Sequence, residues 1–246
     1  MKVIFCGAHP DDAEIYAFGT LFAYRAAGAE VLVVIAANGN LGTTDRSKDR
    51  PLADVRREEA EKSSAVLGAR LICLGLPDLG IEPAKVRLIS RLIQLFTDEK
   101  PDVIITHSRN DYHIDHRVLS GVVSLAAPDT IPVIYADTIK GQDFQPTHFV
   151  NIGAFQSQKF ECLRLHHSQK PRRYVLSALG LAQRRGKQAT GLDTEVMEAF
   201  RFDMAPPFFK GRPIFPPGTI KAQIVTLALP AGSPPDMSGA ADRGEQ

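Results

Sequence analysis

The chain has 246 residues, 44% hydrophobic and 23% charged, enough for one large globular domain with a substantial core and too few for two full ones. Its 29 basic and 28 acidic side chains leave a formal net charge of +1, so no global field draws it to nucleic acid or to an anionic membrane. Cys6, Cys73 and Cys162 sit among apolar neighbours with neither ligand nor disulfide spacing, which fits a reducing compartment.

Taken in chain order, KVIFCGA (2–8) reads as a first strand, hydrophobic almost throughout as a strand buried on both faces should be. It is too short for the apolar region of a signal peptide, and no run reaches the roughly 20 apolar residues of a spanning helix, so a cytoplasmic protein without a membrane span is expected. A helix is expected over about 13–27, stopped by Gly28, then a strand EVLVVIAA over 30–37. A second helix over 52–67 is stopped by Gly68 and leads into the strand RLICLGL, 70–76. A third helix over 84–98 ends before Pro101 and is followed by the strand DVIITH, 102–107. A helix over 116–127 and the strand PVIYAD, 132–137, complete the regular alternation.

Beyond residue 140 the pattern loosens. HFVNI (148–152) and FQSQKFECLRLHH (155–167) read as one more strand and one more helix, and the basic runs KPRRY and QRRGK as solvated loops. Prolines accumulate from Ala205, and the closing PAGSPPDMSGAADRGEQ has the composition of a disordered end. The expected organisation is a domain over 1–204 and a Pro-rich extension over 205–246. The repeated β-α units define the class: α/β, a single Rossmann-like domain with a mostly parallel sheet, helices on both faces and the central order 3-2-1-4.

In such a sheet ligands bind beyond the carboxyl ends of the strands. Two clusters of metal-type side chains fall there: AHPDDAE (8–14) after the first strand and HSRNDYHIDHR (107–117) after the fourth. His9 and Asp12 are three residues apart where strand turns to helix, a spacing that brings both to one ion while Asp11 points elsewhere. His113 and His116 repeat the spacing, and Asp115 is placed to hold one imidazole through its ring N–H. A catalytic zinc site takes three protein ligands and leaves one position open, a count met by His9, Asp12 and one of the two later histidines. Asp11 or Asp12 alone would be explained as a helix cap. Clusters after two separate strands are not, and they point to a metal site. A dinucleotide site is excluded, because the first turn lacks GxGxxG and carries a carboxylate pair that would repel a pyrophosphate.

AHPDDAE, a following Gly19-Thr20 and HSRNDYHIDHR together resemble the PIG-L/LmbE family of zinc-dependent N-acetylglucosaminyl deacetylases. The resemblance implies His9, Asp12 and His116 as metal ligands and Asp11 as general base. It also implies that His113, oriented and kept charged by Asp115, stabilises the oxyanion. ADVRREEAEKSSAVLG resembles the family's R-x-x-E helix, which implies Arg56 as a residue binding substrate hydroxyls; the competing reading is a surface ion pair between Arg56 and Glu59. KFECLRLHHSQ resembles a later K-x-x-A-L-x-x-H-x-S-Q segment and places His166 at the family histidine. Departures are Phe18 before Gly19, Ile114 where proline is usual and Asn151 at a strand end where aspartate is common.

The implied activity is metal-dependent removal of the N-acetyl group from an N-acetylglucosamine-type sugar or conjugate. Zinc is the expected cofactor, with ferrous iron also compatible with mixed N and O ligands. The expected partner is a small-molecule amino sugar rather than nucleic acid, and a homo-oligomer is neither required nor excluded. Two rivals are a non-catalytic metal-containing sugar-binding module and a metal-dependent phosphoesterase; an intact Asp11 argues against the first and a ligand count suited to one metal against the second. His107, His148 and His167 are read as structural, and the loops at 38–52 and 138–147 as the determinants of substrate choice.

Overall fold

The computed structural model describes residues 1–42, 50–140, 143–202, 209 and 211–222. Parts of the two loops expected to choose the substrate (43–49 and 141–142) and the closing stretch expected to be disordered lie outside the described residues. The strands are β1 (Lys2–Gly7), β2 (Glu30–Ala37), β3 (Arg70–Leu76), β4 (Val103–His107), β5 (Val133–Ala136), β6 (His148–Asn151), β7 (Met197–Arg201) and β8 (Ile220–Lys221). The helices are α1 (Asp12–Tyr16), α2 (Phe18–Ala26), α3 (Leu52–Leu67), α4 (Ile81–Glu99), α5 (Ile114–Ala126), α6 (Gln156–Arg164) and α7 (Pro171–Thr190).

The strands form one sheet in the order β3-β2-β1-β4-β5-β7-β6-β8. The first five run parallel, and the last three join antiparallel. Alternation along β1 explains the two helix layers: Val3 and Phe5 pack with Tyr24, Ala60 and Leu67, whereas Ile4 and Cys6 pack with Leu88, Phe96 and Val122. The α/β class, the mostly parallel sheet and the central order 3-2-1-4 are therefore those expected.

Three features differ from the expectation. The helix expected over 13–27 is two helices, broken at Ala17 (φ −142°). Phe18 then starts α2, and Gly19 lies so close to the residue following β6 that a Cβ there would stand 2.7 Å from the Ile152 Cβ. The basic runs KPRRY and QRRGK are not loops but parts of the twenty-residue α7, which has Pro171 in its first turn, Gly191 as its left-handed cap and Val175, Ala178, Leu181 and Ala182 on its buried face. The described part of the Pro-rich extension lies on the domain: β8 pairs with β6, Arg212 with Asp102, and the Tyr24 hydroxyl donates to the Ile214 carbonyl. Among the described residues no helix is long and apolar enough to cross a membrane.

Candidate metal centre

β1 and β4 are parallel neighbours, Cys6 opposite Thr106, so the loops leaving their carboxyl ends meet. Between them opens a cavity of ≈ 270 Å³ whose floor holds His9, Asp11, Asp12, Tyr16 and His116. His9 Nδ1 lies 3.2 Å from His116 Nε2. Asp12 turns one oxygen to each imidazole, Oδ2 at 3.6 Å from His9 Nδ1 and Oδ1 at 3.3 Å from His116 Nε2. Ligand atoms around a tetrahedral zinc stand about 3.3–3.6 Å apart. The three pair distances are of that size, with the two to Asp12 running to different carboxylate oxygens, so the three side chains converge where they could hold a metal ion.

The far nitrogens of both imidazoles face carboxylates, as in most histidine–metal sites. His9 Nε2 is 3.2 Å from Asp115 Oδ2, and His116 Nδ1 is 3.1 Å from Asp111 Oδ2. Burial alone would lower the pKa of His9, yet Asp115 and Asp12 carry it to about 9. His116 is likewise lowered by burial and raised by Asp12 and Asp111, to about 10. Burial would raise the Asp12 carboxyl, but His116 and His107 hold it well below the usual carboxylate range. Electrostatically, this site favours positive charge.

His107 stands nearer the centre than a strand-end structural role requires. It stacks on His116 with ring centroids 3.9 Å apart, and its Nε2 is 3.2 Å from Asp12 Oδ2. Ligand atoms of Asp12, His107 and His116 lie within 4.8 Å of one another, as do those of His9, His113 and His116. His107 Nε2, however, already accepts from the Ala8 N–H at 3.0 Å. His148 packs away from the site, stacked on Phe215.

Two expected pairings are changed by the geometry, Asp115 with His113 and Arg56 with Glu59. Asp115 does not orient His113, because its carboxylate is engaged by His9 and by the Leu79 N–H at 2.8 Å. His113 instead caps α5, with Nδ1 accepting the Asp115 backbone N–H at 3.2 Å. That contact fits a neutral imidazole with its proton on Nε2, and burial with the nearby His9 and His116 lowers its pKa. Arg56 does not form the surface pair with Glu59; it is buried and lines the cavity beside Asp11. Only 3% exposed, it donates to the Pro10 carbonyl (2.8 Å), Asp11 Oδ1 (2.9 Å) and the Gly39 carbonyl (3.2 Å). Glycine is required at 39, since φ is +74° and a Cβ would meet the guanidinium carbon at 2.7 Å. Glu59 accepts from the Ser168 N–H and hydroxyl, tying α3 to the segment after His166.

Asp11 joins β1 to α1 at φ 142°, a conformation costing about 1–3 kcal/mol for a residue with a side chain and typical of functional turns. Burial raises its pKa and Arg56 opposes the rise. Asp111, Asp78 and Tyr16 were missed from sequence. Asp78 holds the loop after β2 through the N–H groups of Gly39 and Leu41. Asp111, two residues before His113, and Tyr16, one helical turn after Asp12, had spacings that could have revealed them.

The fold is α/β, and its carboxyl-end crevice holds a His/Asp cluster that could bind a metal ion. The model of the family described as PIG-L: GlcNAc-PI de-N-acetylase matches residues 4–127, half of the chain, and the chain belongs to that family. Diacetylchitobiose deacetylase of Thermococcus kodakarensis is 26% identical over 189 residues, 69% of this chain and 70% of that protein. Among solved structures, the N,N'-diacetylchitobiose deacetylase of Pyrococcus horikoshii superposes with a TM-score of 0.72 at 24% identity, covering 84% of this chain and 85% of that one. GalB, the 4-carboxy-2-hydroxymuconate hydratase of Pseudomonas putida, reaches 0.73 at 19% identity, covering 82% and 96%. At these identities the two structures bear on fold alone.

Proposed function

We propose that this protein is a divalent-metal-dependent N-deacetylase acting on an N-acetylglucosamine-type amino sugar or its conjugate. The observation that carries this reading is the triangle of His9, Asp12 and His116 with the carboxylate of Asp11 beside it. A bound zinc or ferrous ion would supply Lewis acidity toward water and the acyl oxygen. Arg56 occupies Asp11 Oδ1, leaving Oδ2 to take a proton from the attacking water. The water oxygen bonds to the acyl carbon as the carbonyl π pair moves onto its oxygen; on collapse C=O re-forms, the C–N bond breaks with the proton passed by Asp11 to the amine nitrogen, and acetate and a free amino sugar leave. His113, neutral with a proton on Nε2, serves as a hydrogen-bond donor to the tetrahedral oxygen rather than as an imidazolium.

The lining of the cavity bears on the substrate it would take. Asp11, Asp12 and Asp78 line it, and among the described lining residues Arg56 is the sole lysine or arginine, already committed to Asp11. A divalent ion held by His9, Asp12 and His116 would offset much of this negative charge, and the remaining lining is compatible with a neutral, hydroxyl-rich sugar. Tyr112 and Tyr174 add aromatic surface suited to a sugar ring. Three free cysteines agree with a reducing, cytoplasmic setting.

The test is a panel of N-acetylglucosamine conjugates and sugar phosphates, incubated with the metal-loaded protein and scored for acetate, primary amine and phosphate. Acetate and amine in equal amounts are expected. Phosphate without acetate would establish the phosphoesterase instead, and binding without turnover the sugar-binding module. Asp11→Asn should keep the metal and lower kcat by about 10²–10⁴. Loss of metal in that variant would mean that base and ligand are exchanged within the Asp11-Asp12 pair.

A further inference from the structure

We propose that the Tyr16 hydroxyl donates a hydrogen bond to the acyl oxygen of the substrate, a second catalytic donor at the floor of the cavity. The inference rests on the deacetylase reading and names a residue that reading does not use. It begins with spacing: Asp12 and Tyr16 are the first and last residues of α1, four apart, and so share one face of the helix. The face that presents the carboxylate to His9 and His116 therefore carries the phenol as well. Its ring stands edge-on to His107 (centroids 5.7 Å apart, 84°) and to His116 (6.0 Å, 85°).

Tyr16 is only 4% exposed, and it lines the cavity. Buried tyrosine hydroxyls nearly always find a partner. The others here do: Tyr24 donates to the Ile214 carbonyl, and the Tyr135 hydroxyl bonds both Arg109 and Ser124. The Tyr16 hydroxyl has no hydrogen-bond partner among the described residues, and its oxygen is not sealed in the protein interior. A neutral O–H left open on a cavity beside carboxylates is a donor awaiting an acceptor.

The depth of the cavity selects which acceptor. Its rim is formed by exposed side chains, Leu41 at 65%, Leu79 at 55% and Tyr112 at 44%, where a bulky sugar and aglycone fit. Tyr16 lies at the closed end with the proposed ligands and Asp11, where the small acetyl group has to reach. The oxygen that gains negative charge there is that of the acyl group, and a donor aimed at it acts most strongly in the transition state.

Tyr16→Phe removes the hydroxyl and keeps the ring packing. We expect kcat for acetate release to fall about 10²–10³-fold, the scale for loss of one oxyanion donor. The fall should be equal for two N-acetylglucosamine conjugates with different aglycones, with KM within about twofold, in keeping with a contact made in the transition state. Metal content by elemental analysis and Tm should not decrease. Unchanged kcat would reduce Tyr16 to a wall of the cavity, a rise in KM alone would move the hydroxyl to a sugar oxygen, and loss of metal would make it a support for the ligands; each overturns the assignment. Failure of the wild type to release acetate from any conjugate would remove the deacetylase reading, and this donor role with it.

Discussion

Replacing Arg56 by methionine keeps the length of the side chain and removes its charge, and the structure predicts a loss of stability together with a loss of activity. Arg56 is 3% exposed and Asp11 6%, so the variant leaves a buried carboxylate without its cation. Breaking a buried pair from one side costs about 3–5 kcal/mol. At about 2–4 °C per kcal/mol for a chain of this length, Tm should fall by about 6–20 °C. The double variant Arg56→Met/Asp11→Asn should recover much of that, because no unpaired charge remains. Burial already raises the Asp11 pKa against Arg56, so removing the guanidinium raises it further. A base has to be ionised to act, and the acidic limb of kcat/KM should therefore move to higher pH. Thermal melts of the two single variants and the double variant, with a pH profile of the first, test both halves. An unchanged Tm with a raised KM would refute this reasoning and restore Arg56 to the hydroxyl-binding role that the family resemblance implies.

His116→Ala should sharply reduce the divalent metal in the purified protein, measured by elemental analysis; unchanged stoichiometry would remove His116 from the ligand set. Far from the site, Glu99 accepts from both terminal nitrogens of Arg70 and from Lys2, each at 2.9 Å, and these contacts, Arg70 foremost, lower its pKa from 4.5 to about 2. A depressed carboxyl stabilises the fold above its unfolded value and ceases to do so as pH falls through its folded value. Glu99→Gln should therefore cost about 0–1 kcal/mol at pH 7, small because Arg70 is 55% exposed, with the difference closing between pH 4.5 and about 2. Denaturant melts across that range check it, and a pH-independent difference would contradict the assignment.

The parallel half of the fold was legible because strands buried on both faces are written as unbroken apolar runs, with glycine or proline marking the helix ends. The helix α7 was obscured by its charge: Arg172, Arg173, Arg184 and Arg185 drew attention to solvent, although Val175, Ala178 and Ala182 repeat at helical spacing and Pro171 and Gly191 bracket the segment. Residue type and spacing within two short loops single out His9, Asp12 and a later histidine, and the family resemblance selects His116; the fold brings these three side chains together. Pairings across the chain were not legible. Asp11 and Arg56 are 45 residues apart, and no local pattern says that a buried guanidinium will close on that carboxylate rather than on Glu59 one turn away. The family resemblance pairs Asp115 with His113, two residues away, whereas the fold brings its carboxylate to His9, 106 residues distant.

These long-range pairings explain how so short a helix holds chemistry. A five-residue helix has no stability of its own, and Asp11 enters it in a strained conformation, so α1 must be held from outside. Three buried contacts hold it. Arg56 from α3 grips Asp11 and the Pro10 carbonyl at its start. Glu14, in its middle, takes the Ser63 hydroxyl and lies 3.2 Å from His166 Nε2; burial opposes protonation of that imidazole, and Glu14 raises its pKa in return. At its end, Lys159 donates to the Ile15 carbonyl at 2.9 Å and to Glu198 at 2.5 Å, while Glu198 accepts the N–H groups of Gly19 and Thr20 that begin α2. The proposed ligands and the base all fall within residues 4–127, the span that the family model matches, but Lys159, His166 and Glu198 lie beyond it. The first half of the chain thus carries the donor atoms, and α6, its following turn and β7 carry the charges that fix their geometry. Each of those three side chains is at most 5% exposed and faces α1 or its junction with α2. Their buried contacts tie α1 and its junction with α2 to α6 and β7.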